Sequence, residues 1–362
     1  MTYIGAESIL TPLGAGLSHV FDSILNGQGA LKKTDNPFGD HPVGIITDIH
    51  RSKFSRIEQM CLLQASKSLE QVNANESDRW VLILSTTKGD IEKIKSDNPK
   101  EAALFRLADV VADQLDIKCD RKVISNACIS GVQSVLIASE LIQRNRYDHA
   151  LVIGADVFSE FTYRGFASFL ALSETPCMPF DKMRSGLSLG EAAASVVISN
   201  KKEIYDKPPF ILHEGGTSND ANHISGPSRD GSGLARAIRK AMQSLDPKDI
   251  DFISAHGTGT SYNDDMESMA FFNTGLHEVP LNSFKGYFGH TLGAAGILEI
   301  ILSIQSMREG MLVKSHGFRE PGTVKDINVI EKNRSGKIKR VLKTASGFGG
   351  TNAALVLLNP EL

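Results

Sequence analysis

Residues 122–131 read Lys-Val-Ile-Ser-Asn-Ala-Cys-Ile-Ser-Gly. A short apolar strand runs into Cys128. Beyond it, Val132, Val135, Leu136 and Ile142 recur at the spacing of one helical face. A strand turning directly into a helix is the building unit of α/β folds. Outward from this corner the pattern repeats. Trp-Val-Leu-Ile-Leu at 80–84, Ala-Leu-Val-Ile-Gly at 150–154, Phe-Ile-Ser-Ala at 252–255 and Ala-Leu-Val-Leu-Leu at 354–358 read as buried strands. Amphipathic segments at 57–72, 132–143, 233–244 and 297–307 read as helices. The fold class is therefore α/β, with helices covering largely buried sheets. The polar stretch 200–209, rich in charge and ending in paired prolines, suits a connector. It divides the chain into 1–200 and 201–362, each with its own strand–helix series.

Composition narrows the function classes. The 362 residues are 41% hydrophobic and 22% charged, which is ordinary globular usage. A net charge of −3 argues against a nucleic-acid binder that needs a basic face. The four cysteines, Cys61, Cys119, Cys128 and Cys177, form no C-x-x-C pair and show no metal-ligand spacing. Reduced thiols and no metal site are expected. No basic leader opens the chain, and no apolar run reaches the length of a membrane span. The expectation is a cytoplasmic enzyme.

Four turns carry the chemistry. At the first, Cys128 sits at or near a helix N-terminus, where free N–H groups favour thiolate over thiol. The alternative for a lone cysteine is a small buried hydrophobe. At the second, Ile-Ser-Ala-His-Gly-Thr-Gly-Thr (253–260), His256 ends a strand and leads into a turn with the hydroxyls of Thr258 and Thr260. A strand-end histidine can equally be structural. At the third, Asn282 to Gly296, His290 precedes a helix, Lys285 stands five residues earlier, and the Gly293-Ala-Ala-Gly296 run reads as a close-packing face. The fourth, Ala-Ser-Gly-Phe-Gly-Gly-Thr-Asn (345–352), is either a plain hairpin or a turn that aims a backbone N–H at a developing oxyanion.

Cys128, His256, Lys285, His290 and Phe348-Gly-Gly-Thr-Asn352, in that order, resemble the elongating β-ketoacyl-ACP synthases, condensing enzymes with a Cys-His-His triad. Thr86-Thr-Lys-Gly89, Pro179 to Gly186 with Glu191, and Asp220-Ala-Asn-His-Ile-Ser-Gly-Pro227 extend the likeness along the chain. The resemblance implies a thiolase-like fold, two similar halves in a five-layered αβαβα body, pairing through a sheet edge as a homodimer. It implies decarboxylative Claisen condensation of an acyl thioester with malonyl-ACP in fatty-acid or specialised polyketide or polyene synthesis. It also implies that no cofactor is bound and that the phosphopantetheine arm of an acyl carrier protein brings the substrate.

The residue roles it implies are these. Cys128 is the nucleophile, and the N–H groups of Cys128 and Phe348 hold the oxyanion. His256 and His290 serve decarboxylation as neutral donors, with Lys285 as supporting cation. Phe348 gates the site. Thr258, Thr260 and His223 face the pantetheine arm, while Asp181, Arg184 and Glu191 form a buried ionic scaffold. Carrier proteins are acidic, so Arg51, Lys53 and Arg56 are the candidate docking patch, against the alternative of ordinary surface charge.

The chain is short for this family, chiefly between Gly89 and Cys128. Asn263, Ala192 and Ser346 also depart from its usual pattern. Pocket depth and the choice between a homodimer and a heterodimer with a related subunit stay open. The rival reading is a chain-length-factor-like partner subunit, which typically lacks the cysteine. A thiolase would need a second cysteine near the C-terminus, and none follows Cys177. His290 disfavours the Cys-His-Asn initiating synthases, and the carrier-type motifs disfavour a papain-like protease.

Overall fold

The computed structural model describes residues 1–33, 39–49, 52–96, 98–223 and 226–362. Ten principal strands build it: β1 (Thr2–Thr11), β2 (Trp80–Ser85), β3 (Cys119–Ile124), β4 (His149–Asp156), β5 (Ala192–Ser199), β6 (Phe210–Asn219), β7 (Phe252–Ser254), β8 (Leu281–Asn282), β9 (Arg340–Gly347) and β10 (Thr351–Leu358). Their spatial order is β8-β7-β9-β10-β6-β1-β5-β4-β2-β3. The helices are α1 (Leu17–Leu25), α2 (Arg56–Leu69), α3 (Leu104–Gln114), α4 (Ser130–Gln143), α5 (Glu160–Ser168), α6 (Ser232–Met242), α7 (Ser261–Asn273), α8 (Lys285–Phe288) and α9 (Ala295–Glu309).

The path contains one motif twice. In β1–β5 the order is first, fifth, fourth, second, third, with two antiparallel pairings followed by two parallel ones. In β6–β10 the order and directions are the same. Antiparallel pairing of β1 with β6, Tyr3 against Ile211, joins the two sheets.

Side-chain alternation turns two sheets into five layers. Val81, Ile83, Ala150 and Val152 share one core with α4 and α9, while Leu82, Leu84, Leu151 and Ile153 share another with α2 and α3. On the second sheet, Ala353, Leu355 and Leu357 join the central core, and Ala354 and Val356 pack with α6 and α7. The central α9 is buried on nearly every face, as a helix between two sheets must be. Helix α2, on an outer layer, starts at a capping box: Ser55 Oγ accepts from Glu58 N, and the Glu58 carboxylate accepts from Ser55 N at 2.7 Å.

The stretch 200–209 connects the halves through a single turn at Lys202–Ile204. The short 89–104 region carries two one-turn helices, Ile91–Lys95 and Pro99–Ala102.

Helices α4 and α9 are topological counterparts, and their first turns cross in contact. A Cβ on Gly296 would lie 2.4 Å from Val132 N, and one on Gly131 2.8 Å from Ile297 N. The small-residue run at 293–296 is thus a packing face. Gly296→Ala is expected to lower stability by about 1–3 kcal/mol through overpacking. Urea unfolding measures this, and a wild-type midpoint would contradict it.

Candidate active site

The duplication places the reacting groups. Parallel strands send their C-terminal ends to the same side, where ligand sites of α/β sheets form. The third strand of the first half, β3, leads to Cys128 and α4. Its counterpart β8 leads to Lys285, His290 and α9. His256 follows β7, and Phe348 lies in the β9–β10 hairpin, whose last pair is Gly347 with Thr351. Four segments remote in sequence therefore meet above one helix crossing.

Cys128 Sγ and one ring nitrogen from each of His256 and His290 lie within 4.8 Å of one another. The two rings are edge to face, 5.2 Å between centroids. They line a cavity of about 650 Å³ together with Phe166, Phe169, Thr258, Thr260 and Phe348. His223 and Arg229 also line it. The backbone N–H groups of Phe348 and Cys128 favour the thiolate form of this sulfur. The Gly-rich turn is thus a hairpin whose Phe348 N–H acts on this sulfur's ionisation. Ala127, immediately before the cysteine, adopts φ 44°, a strained value for a residue with a Cβ.

The geometry sets both imidazole tautomers. His290 Nδ1 accepts from Leu292 N at 3.2 Å, so its ring proton sits on Nε2. That Nε2 is buried and has no partner among the described residues. The Lys285 ammonium lies 3.4 Å from His256 Nδ1. An ammonium only donates, so the His256 proton also sits on Nε2. Burial, then the Lys285 charge, holds both rings well below the ordinary imidazole range, and they are neutral.

Cys128 lies near a helix N-terminus as expected, and it departs from the expectation in its charge state. Helix α4 starts at Ser130, two residues further on, and Cys128 is 8% exposed. Burial pushes its thiol up to about 11, against the opposing effects of Lys285 and the Phe348 N–H. The resting group is therefore the thiol rather than the thiolate. Its alkylation by iodoacetamide should rise about tenfold per pH unit from neutrality and level off only near the thiol's own value. A plateau at neutral pH in a stopped-flow or mass-resolved assay would contradict this.

Behind the triad is a buried ionic array that the sequence reading missed apart from Lys285. Lys285 Nζ bonds His256 O at 2.5 Å and Glu299 Oε1 at 2.7 Å. Lys343 Nζ bonds Glu299 Oε2 at 2.5 Å. Glu267 accepts from His256 N at 2.8 Å and Gly257 N at 2.6 Å, and Asn263 donates to it at 2.9 Å. On the other flank, buried Asp156 accepts from Lys88 at 2.7 Å and from Gly293 N at 2.7 Å. Glu299, a charge inside an otherwise apolar helix face, was the available signal. Among the described residues the triad is the one group of ligating side chains close enough for a metal. Two ammonium groups directly behind it oppose a divalent cation.

The other expected residues are placed as follows. Thr258 and Thr260 hydroxyls bond one another at 2.9 Å. Phe348 stacks near Phe166 and Phe169, 5.6 Å from each ring. Asp181 is buried and accepts from Met183, Arg319 and Glu320 N–H groups. Glu191 accepts from Ile46 N and Phe158 N. Arg184 pairs with Asp265 at 2.8 Å and Glu191 with Arg56, whereas Asp181 is held by backbone N–H groups, so the three expected scaffold residues do not pair with one another. Arg56 corrects the docking expectation, because its guanidinium turns inward to Glu191 and the Ile46 carbonyl. Lys53 lies over the Phe54 ring at 4.8 Å. Arg51 lies outside the described residues.

A cysteine facing two neutral imidazole donors, on a duplicated five-layered α/β body, defines a thiolase-like condensing enzyme. Residues 17–203 match the beta-ketoacyl synthase N-terminal domain and 210–319 the beta-ketoacyl synthase C-terminal domain. The chain therefore belongs to the β-ketoacyl synthase family. It is 26% identical over 394 residues to a 3-oxoacyl-[acyl-carrier-protein] synthase 2 of Staphylococcus aureus, covering 96% of this chain and 98% of that protein. A β-ketoacyl synthase from Burkholderia phymatum superposes with TM-score 0.86 at 23% identity, covering 99% of each chain. A ketosynthase from Xenorhabdus doucetiae, solved with its chain length factor, superposes with TM-score 0.80 at 25% identity, covering 99% and 97%. Among the described residues, no helix is long and apolar enough to cross a membrane.

Proposed function

We propose that this chain condenses an acyl thioester with malonyl-ACP to give β-ketoacyl-ACP, in fatty-acid or specialised polyketide or polyene synthesis. The observation that carries the reading is the convergence of the Cys128 sulfur with two Nε2–H imidazoles in one cavity. In the first half-reaction Cys128 takes the acyl group, and the thiol proton leaves with the departing pantetheine thiol. The N–H groups of Cys128 and Phe348 hold the tetrahedral oxyanion. In the second, the malonyl thioester loses CO2 while negative charge moves onto its carbonyl oxygen, where His256 and His290 donate. The enolate carbon attacks the acyl-cysteine, and Cys128 leaves and is reprotonated from solvent. Lys285 fixes His256 and adds positive potential for the malonyl carboxylate.

Thr258, Thr260 and His223 line the route of the phosphopantetheine arm, and Phe348 gates it. Lys53 is the remaining described candidate for contact with an acidic carrier protein. The halves are 1–200 and 201–362. Strand β3, at the end of the sheet path, is the edge for pairing with a second copy or a related chain. Four free thiols suit a reducing cytoplasmic setting. Mass spectrometry after incubation with a panel of acyl carrier thioesters tests the reading. Acyl mass on the Cys128 peptide, followed by β-ketoacyl product on adding malonyl-ACP, is the expected result. Acylation elsewhere, or no product, would overturn it.

A further inference from the structure

We propose that Lys343 is a positioning residue of this site, locking the strand end that carries His256 and sharing Glu299 with Lys285. The proposal rests on the role given to His256 above. Lys343 lies on β9 between Val341 and Ala345, residues that face the central apolar core, and it is fully buried. A buried ammonium is costly unless every proton is used. Here it bonds Glu299 Oε2 at 2.5 Å, Ser254 O at 3.2 Å and Ala255 O at 3.3 Å.

Those contacts complete a pattern. Lys343 takes the carbonyls of Ser254 and Ala255, Lys285 takes that of His256, and Glu267 takes the N–H groups of His256 and Gly257. Four consecutive residues, Ser254 to Gly257, are thus gripped by three ionisable side chains: Lys343 from β9, Lys285 from α8 and, from α7, Glu267, whose carboxyl is pushed up to about 7 by burial. Charge-assisted bonds of this kind are the strong ones, and they hold a catalytic ring to sub-ångström tolerance. Glu299, from α9, ties the two lysines into one unit.

The same charges act through space. Lys343 faces His256, His290, Lys285, Glu299 and Glu267. Its positive charge holds both imidazoles toward the neutral form, adding to burial and to Lys285. Removing it raises the pH at which the rings protonate, so activity is lost earlier as pH falls.

The test compares Lys343→Met, which removes donor and charge, with Lys343→Gln, which keeps a donor without the charge. Both are checked for folding by thermal unfolding, and the glutamine variant is the measure if the methionine variant does not fold. The expected result for Lys343→Met is a kcat lower by about tenfold or more, since a misplacement of about 1 Å costs up to about a hundredfold. KM for the acyl carrier thioester stays near wild type. In both variants the acid limb of the kcat profile moves to higher pH. A folded variant with the wild-type kcat and acid limb would overturn the role of Lys343. Absence of β-ketoacyl product from the wild-type enzyme would instead overturn the function itself.

Discussion

Cys128→Ala is expected to fold normally and to lower condensation by at least about 10⁴-fold, the scale seen when a covalent nucleophile is deleted. Alanine keeps the Cβ and the backbone of the 126–131 corner, so the N–H groups of residues 128 and 348 stay in place. What disappears is the atom that stores the acyl group between two half-reactions. No acyl adduct should form with any thioester. Malonyl decarboxylation should persist, because His256 and His290 are untouched and form the part of the site that acts on the malonyl unit. That separation is the informative part. Loss of both activities would mean that Cys128 supports the site rather than attacks, and retained condensation would remove it from the mechanism.

The second large effect concerns the imidazoles. His256→Ala and His290→Ala should each slow malonyl decarboxylation by about a hundredfold or more, the usual cost of removing one preorganised donor. Uptake of acyl groups by Cys128 should continue, since the oxyanion donors for that step are backbone N–H groups. Both rings are held well below the ordinary imidazole range by burial and by Lys285. For a base whose value is depressed, the neutral form prevails at every pH above that value. The two rings should therefore contribute no loss of rate as pH falls through about 6.5. Half-reaction assays across pH check this. A loss of acyl uptake in either variant would show that the histidines activate the thiol instead.

Much of this was legible in the chain. The corner at 122–131, the strand ending before His256, the closing strand at 354–358 and the helices covering them all appear in the apolar pattern, and the structure has each within a few residues. Other elements were not. The strands Ala192–Ser199 and Phe210–Asn219 escaped notice because alanine, serine and glycine carry little strand pattern. Their identity comes from the partners on either side. The duplication was equally hidden, since strand order and direction are properties of pairing and leave no trace in residue type.

At the site, the residue types that do the chemistry and their order along the chain were set by sequence alone, as was the close-packing run that lets α4 and α9 cross. Tertiary structure decided the charge states. A cysteine two residues before its helix, buried at the wall of its cavity, rests as a thiol, because desolvation outweighs the groups that favour the thiolate. It also decided what Arg56 and Lys343 do: one turns from the surface to Glu191, and the other enters the core because Glu299 and two strand-end carbonyls await it. Such outcomes depend on distances between segments from 44 to 135 residues apart, and the free energy of a charge is governed by those distances and by the water excluded between them.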